Sequence, residues 1–251
     1  MANDSLQRHV QDIRHADIIE LQGRFRPGMR VLEVGGGNGY QSKVIAEWGC
    51  EVSSIDIAPP SRHEPVFYPV QLYDGRLIPF SDHTFDVVYT SCVLEHIPQL
   101  VPLLREMRRV LKPGGSAIHI VPSATWRFWT SVAHYPYLLK RAAGVKPSNT
   151  GSGHFAATSA QVVPAMRKRL GRLIMSPAHG EYPDAISEIY YYSKSRWIRV
   201  FREAGFFVTG VTGNGLFHTG YRILPWLGVR ERQWMANVLG SATHVFTVKP
   251  L

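Results

Sequence analysis

The sequence predicts an α/β fold, and three observations predict it. Short apolar runs alternate with segments of helical periodicity, beginning with the buried strand expected over Arg30 to Val34. A glycine-rich stretch, Gly35-Gly36-Gly37-Asn38-Gly39, separates that strand from a helix expected over Asn38 to Trp48. The next apolar run, Glu51 to Ile55, ends in an acid, Asp56. Glycine suits a strand-to-helix turn because it reaches positive φ without strain and lets backbone N–H groups approach a ligand. The spacing narrows the ligand class. A dinucleotide site wants a third small residue where Tyr40 stands, and no Gly-Lys-Ser/Thr follows to make a P-loop. A turn without any ligand stays open at this point.

With 251 residues, the chain is long enough for one large α/β domain or a core domain with insertions. At 45% hydrophobic and 19% charged residues it is of ordinary globular composition, which excludes a disordered chain. The formal charge of +9 favours an acidic partner (nucleic acid, anionic lipid or a phosphorylated substrate), or it only solubilises the surface. Cys50 and Cys92 form no C-x-x-C pair, so neither a disulfide framework nor a metal site is expected, and the expected compartment is the reducing cytoplasm. Met1 to Arg14 lacks the apolar core of a signal peptide, and no run of about eighteen apolar residues occurs. The expectation is a soluble protein or one peripheral to a membrane.

Asp4 to Leu21 reads as an amphipathic helix with Val10, Ile13, Ile18 and Leu21 on its apolar stripe. Gly49 stops the helix after the glycine turn. Asp56, at the end of the second strand, is placed to accept hydrogen bonds from the two hydroxyls of a ribose; the alternative is a strand-end acid capping a turn. Pro65 to Val70 is expected to form a third strand, its prolines suiting a sheet edge. Phe85 to Ser91 reads as a buried fourth strand. A helix introduced by Pro98 and Pro102 carries Leu100, Leu103, Leu104, Met107, Val110 and Leu111 at helical spacing, with Arg105, Arg108, Arg109 and Lys112 largely turned outward. Leu111-Lys112-Pro113-Gly114-Gly115 ends it before a fifth strand, Ser116 to Val121. Ser195 to Ala204 is expected as the last core helix, with Phe206 to Thr212 and His244 to Val248 as the sixth and seventh strands.

Several of these stretches, in order, carry a family likeness. Glu33-x-Gly35-x-Gly37-x-Gly39, the strand-end Asp56, Asp74 six residues before the Phe of Ile78-Pro79-Phe80, Phe85-Asp86-Val87-Val88 and Leu-Lys-Pro-Gly-Gly together resemble the class I S-adenosylmethionine (SAM) methyltransferases of small molecules. The one departure is Ile78 where Leu is usual. The likeness covers about residues 30 to 123. It implies a Rossmann-like seven-stranded, mainly parallel sheet with helices on both faces and the last strand antiparallel. It also implies SAM as cofactor and S-adenosylhomocysteine as product, with Asp74 accepting the adenine amine; an ordinary turn beside Gly75 is the alternative. The expected cofactor-binding residues are Glu33, Gly35, Gly37, Gly39, Asp56, Ile57, Asp74, Gly75 and Ser91.

The chain then reads as a single methyltransferase domain, 1–251, with substrate-side insertions at about 124–192 and 214–241. The aromatic stretch from Trp126 to Leu139 could be a lid wall, a membrane-surface helix or core. The expected reaction moves a methyl group to an oxygen, ahead of nitrogen or carbon, of a small molecule such as a sugar or lipid-linked intermediate, which the charge would suit if phosphate-bearing. An attacking hydroxyl must lose its proton, so His96 and His179 are the candidate catalytic residues, with Glu181 and His154 behind them; capping or surface roles are the alternatives. Two other functions remain open: RNA methylation through a basic surface that includes Arg167, Lys168, Arg169 and Arg172, and SAM binding without turnover. The second would require no acceptor at all.

Overall fold

The computed structural model describes residues 12, 15–60, 65–142, 179–219 and 226–251. Its elements are β1 (Arg30–Val34), α1 (Tyr40–Glu47), β2 (Glu51–Asp56), β3 (Gln71–Leu72), β4 (Phe85–Ser91), α2 (Leu100–Val110), β5 (Leu111–Pro122), α3 (Ala124–Ala142), α4 (Ala185–Tyr191), α5 (Lys194–Glu203), β6 (Phe206–Gly213), α6 (Val229–Leu239) and β7 (Thr243–Pro250). The strands form one seven-stranded sheet in the order β3-β2-β1-β4-β5-β7-β6. The pairs β1–β2, β1–β4, β2–β3 and β4–β5 are parallel, and β6–β7 is antiparallel. This is the Rossmann-like architecture the sequence implied.

The chain divides into two compact units. One, the sheet unit, comprises His15–Val121, Lys194–Asn214 and His244–Leu251. The other comprises, among the described residues, 12, 122–142, 179–193, 215–219 and 226–243.

The sheet unit buries both faces of its central strands, so Val87 to Thr90 of β4 are buried one after another without alternation. On one face Val31, Val87, Tyr89, Ile118 and Val245 pack with Val44 and Ile45 of α1, and Ile18 and Leu21 join them. On the other, Phe201 of α5 stacks on His119 of β5 and lies 5.2 Å from the ring of Phe246. Residues 15–19 are helical, so Ile18 and Leu21 of the expected first helix do pack on the core; its earlier part, with Val10 and Ile13, lies outside the described residues.

Three expectations need correction. The third strand is Gln71–Leu72, not Pro65 to Val70, because Pro65 and Pro69 have no N–H to give a ladder. That segment is anchored instead by Phe67 N–H donating to the Asn38 carbonyl (2.8 Å) and Tyr68 Oη to the Val52 carbonyl (2.9 Å). Strand β5 starts at Leu111, opposite Phe85, and the pairing slips before resuming at Val87 and Ser116, so Lys112 to Gly115 form an irregularity inside the strand. Lys112 and Arg109 are not simply outward. Lys112 Nζ bonds both Asp86 oxygens at 2.9 Å, and Arg109 grips Asp82 and Glu106 at 2.8 Å.

Candidate cofactor site

The site is built at the C-terminal edge of the parallel strands, where open α/β sheets place ligands. Gly35 and Gly36 N–H both donate to the Ile55 carbonyl (2.8 and 3.1 Å), which ties the turn after β1 to the end of β2. Gly37 N–H donates to Asp56 Oδ2 at 2.8 Å. Two positions demand glycine outright. Gly35 has φ +85°, and a Cβ there would stand 2.2 Å from Val93 Cγ2; Gly39 has φ +78°, and a Cβ would stand 2.5 Å from the Tyr68 carbonyl oxygen. A Cβ at Gly37 would meet nothing within 4 Å, so open space lies over the middle of the turn.

Glu33 lies beneath this turn rather than on it. It is buried, accepts a bond from Ser54 Oγ at 3.0 Å and another from Ser42 Oγ, and a Cβ on Gly36 would stand 3.2 Å from its Oε2. Burial pushes its carboxyl up to about 7, outweighing the lowering effect of the two serine bonds. Ser42 of α1 and Ser54 of β2 were missed by sequence reasoning, and nothing in their local sequence sets them apart from other serines.

Asp56 and Asp74 stand on neighbouring strand ends. Asp56 pairs with Leu72 in the β2–β3 register, and its main-chain carbonyl accepts from Tyr73 N–H at 3.0 Å. Both acids lie close enough to Tyr73 to add to the burial that pushes its phenol up to about 12. Asp56 Oδ1 accepts from Ile57 N–H at 2.7 Å and Ala58 N–H at 3.3 Å. With Gly37 on Oδ2, three bonds are made of the roughly four a carboxylate can accept, and capacity remains on Oδ2. Asp74 closes a turn through Oδ1, accepting from Arg76 and Leu77 N–H at 2.8 and 2.9 Å, and these bonds hold it below the usual carboxylate range. Its turn-forming role is therefore real, and Oδ2 takes no part in those two bonds. Ile57, 63% exposed, comes within 3.0 Å of a Cβ built on Gly75, so the two residues form one apolar corner between the acids.

Arg109 is a second residue that sequence reasoning misplaced. Its guanidinium donates to the carbonyls of Ile78 and Phe80 at 2.9 Å while held by Glu106 and Asp82. It thereby fixes the segment that follows Asp74. The signal was Glu106 three residues earlier on the same helix.

Ser91 ends β4, half-buried, with its Oγ 3.5 Å from Gln41 Nε2. The chain then turns at Cys92, a non-glycine residue at φ +53°, into the 3₁₀ turn Leu94–His96. His96 is held to about 4 by burial, so it is neutral at pH 7 and makes no ion pair with Glu95, 3.8 Å away. These residues all belong to the sheet unit.

His179 belongs to the other unit. Its N–H and that of Gly180 donate to Glu188 Oε1 at 2.5 and 2.6 Å, and its ring meets Trp126 edge-on at 4.8 Å. Glu188 is fully buried, accepts from Tyr192 Oη at 3.1 Å, and faces Arg127 Nε at 2.9 Å, an ion pair out of line for a hydrogen bond. Asp184 caps α4 through Ile186 and Ser187 N–H. Glu181 is exposed. His154 and the basic cluster Arg167 to Arg172 lie outside the described residues.

The donor set in the sheet unit fits SAM: strand-end carboxylates with unused acceptor capacity, an apolar corner between them, and open space above a glycine backbone. Comparison with known proteins agrees. The profile of a family described as a methyltransferase domain matches residues 6–211. A ubiquinone/menaquinone biosynthesis C-methyltransferase, UbiE of Cupriavidus metallidurans, is 31% identical over 144 residues, 51% of this chain; the chain spans 59% of that protein's length. Among solved structures, the geranyl diphosphate C-methyltransferase of Streptomyces coelicolor A3(2), in complex with Mg2+, geranyl diphosphate and S-adenosyl-L-homocysteine, is similar at TM-score 0.56 and 11% identity over 99% of this chain and 85% of that one. The 1,6-didemethyltoxoflavin-N1-methyltransferase of Burkholderia thailandensis, with its substrate and S-adenosylhomocysteine bound, is similar at TM-score 0.51 and 14% identity over 95% and 78%. At those identities the structures speak for the fold. With the family profile covering most of the chain and the turn geometry in agreement, this chain belongs to the class I SAM-dependent methyltransferases.

Proposed function

We propose that the chain transfers the methyl group of SAM to a small-molecule acceptor in the cytoplasm or at a membrane face. One observation carries the reading: Asp56 bonded to Gly37 across the glycine turn, with Asp74 on the adjacent strand end. In this reading Asp56 accepts the ribose hydroxyls, Asp74 the adenine amine, Ile57 and Gly75 flank the base, Ser91 borders the site, and Glu33 supports the turn from below. When bound, SAM supplies an electrophilic methyl group on a sulfonium. The protein's part is to align the nucleophile and exclude water, which needs no metal.

The chain acts as a single methyltransferase domain in which the segments 124–192 and 214–241 choose the acceptor, a phosphate-bearing or lipid-linked molecule being suited by the net charge of +9. Oxygen is the attacked atom, with His96 or His179 receiving the proton. His96 suits a base only weakly, since a group held to about 4 is a poor proton acceptor at pH 7. Transfer to carbon is a second reading, favoured by the similarity to UbiE, a C-methyltransferase by name.

Incubation with SAM carrying a carbon-13 methyl group and small-molecule extracts, read by NMR, separates these readings, because methyls on oxygen, nitrogen and carbon resonate in distinct regions. A labelled oxygen-bound methyl is expected. A carbon-bound methyl establishes the second reading, label only in RNA replaces the acceptor class, and SAM binding without any product leaves a binding protein.

A further inference from the structure

In the second unit, α3 exposes Phe128, Val132, Tyr135 and Leu139, from 42% to 72%. Their spacing of four, three and four residues puts them on one helix face, over about 16 Å at 1.5 Å per residue. Three larger side chains at the start of that helix are committed elsewhere. Arg127 faces Glu188, Trp126 packs on His179 and Tyr192, and Trp129 Nε1 donates to the Leu239 carbonyl at 3.0 Å. Trp234 and Val238, one turn apart on α6 of the same unit, are exposed too, as is Trp226 just before it. Apolar exposure on this scale marks an interaction surface more often than plain solvent contact.

Charge decides which partner fits. Between Glu106 and Glu181 the sequence contains no Asp or Glu, while, beside the buried Arg127, it carries Lys140, Arg141, Lys146, Arg167 and Lys168. A face meant for water would mix both signs. A second copy of this chain would bring the same acid-free segment against itself, since a two-fold contact repeats one patch on both sides. An anionic lipid surface answers both features, taking aromatic and aliphatic side chains at headgroup depth and basic residues against its phosphates. Among the described residues no helix is long and apolar enough to cross a membrane.

We propose that the Phe128–Val132–Tyr135–Leu139 face of α3 docks on the surface of an anionic lipid bilayer. The inference deepens the membrane-face part of the proposed function, and its test by vesicle binding does not depend on methyl transfer, whose acceptor it does not specify.

Sedimentation of the full chain with vesicles tests it. Vesicles of phosphatidylcholine and phosphatidylglycerol should carry the protein down, vesicles of phosphatidylcholine alone far less, and added salt should weaken the binding. Phe128→Ser/Leu139→Ser should weaken it about a hundredfold, at roughly tenfold for each apolar side chain withheld from the interface. Both positions are exposed, so circular dichroism and SAM affinity should match the parent. Lys140→Gln/Arg141→Gln should reduce the preference for phosphatidylglycerol. No sedimentation of the parent, or equal binding by the folded Phe128→Ser/Leu139→Ser variant, overturns the proposal. So does a parent dimer that this variant converts to monomer, because a second copy would then own the face.

Discussion

The two units each bury a glutamate completely, and they compensate it differently. In the sheet unit Glu33 lies under the glycine turn between the hydroxyls of Ser42 and Ser54, with no cation bonded to it among the described residues, and burial lifts its carboxyl toward neutrality. In the other unit Glu188 faces the guanidinium of Arg127 and also receives Tyr192 Oη and the N–H groups of His179 and Gly180. The first arrangement suits a turn that must stay close to a ligand without adding a fixed charge beneath it. The second ties α3, α4 and the chain at His179 through one buried pair, so that unit depends on the match being complete.

The largest expected effect follows from that dependence. Arg127→Ala leaves the Glu188 carboxylate buried without its guanidinium, which should cost the second unit about 3–5 kcal/mol. Hydrogen exchange should show α3 and α4 losing protection, and Arg127→Met/Glu188→Gln, which removes the buried charge but keeps an acceptor for Tyr192 Oη and the His179 and Gly180 N–H groups, should recover most of it. If Arg127→Ala leaves exchange in both helices unchanged, the pair does not hold the unit.

Glu33 should show itself through pH. Its folded value, about 7, lies above the ordinary 4.5, so between those values the folded state holds a proton that the unfolded state has released. Its contribution is therefore favourable at low pH and is lost as pH rises through that window, by on the order of 3 kcal/mol at most. Glu33→Gln keeps a hydrogen-bonding carbonyl for the serines and should flatten the stability change between about pH 5 and about pH 8 in urea titrations. A parent and a variant with parallel pH profiles would place the titration elsewhere.

A smaller effect is expected at Asp74, whose Oδ1 already closes a turn. Asp74→Ala should weaken SAM about tenfold, as one hydrogen bond to a carboxylate is lost, and calorimetry should read it. An effect larger than that of Asp56→Ala would reverse the ranking of the two acids.

Legibility in the sequence followed the range of the interactions. Strands β1 and β2 were readable because glycine or an acid closes each, β4 because Phe85 and Val87 to Tyr89 gather apolar residues, and the glycine turn because its spacing is local. Strand β3 was not, since two residues at an edge leave no periodicity and the prolines before it resemble an edge strand. Arg109 was placed outward by helical spacing, which shows the face of a residue but not that Ile78 and Phe80 carbonyls and Asp82 come round to meet it. The Arg127–Glu188 pair joins residues far apart in the chain, and nothing in either neighbourhood announces the other. In the candidate site, the acids and glycines were legible by motif; the serines that hold Glu33 were not, because a buried hydroxyl looks like any other serine.

The central claim is that the glycine turn and Asp56 together hold SAM. Calorimetric titration of SAM into the parent and into Asp56→Ala tests it most directly, with circular dichroism to show that both are folded. Each hydrogen bond to a charged acceptor is worth roughly 1.5–3 kcal/mol, so loss of two ribose bonds, one on the open Oδ2 position and one in place of the long 3.3 Å bond from Ala58 N–H, should weaken SAM about a hundredfold or more. Equal affinity in parent and folded variant would contradict the assignment of Asp56, and a parent that binds no SAM would contradict the site itself.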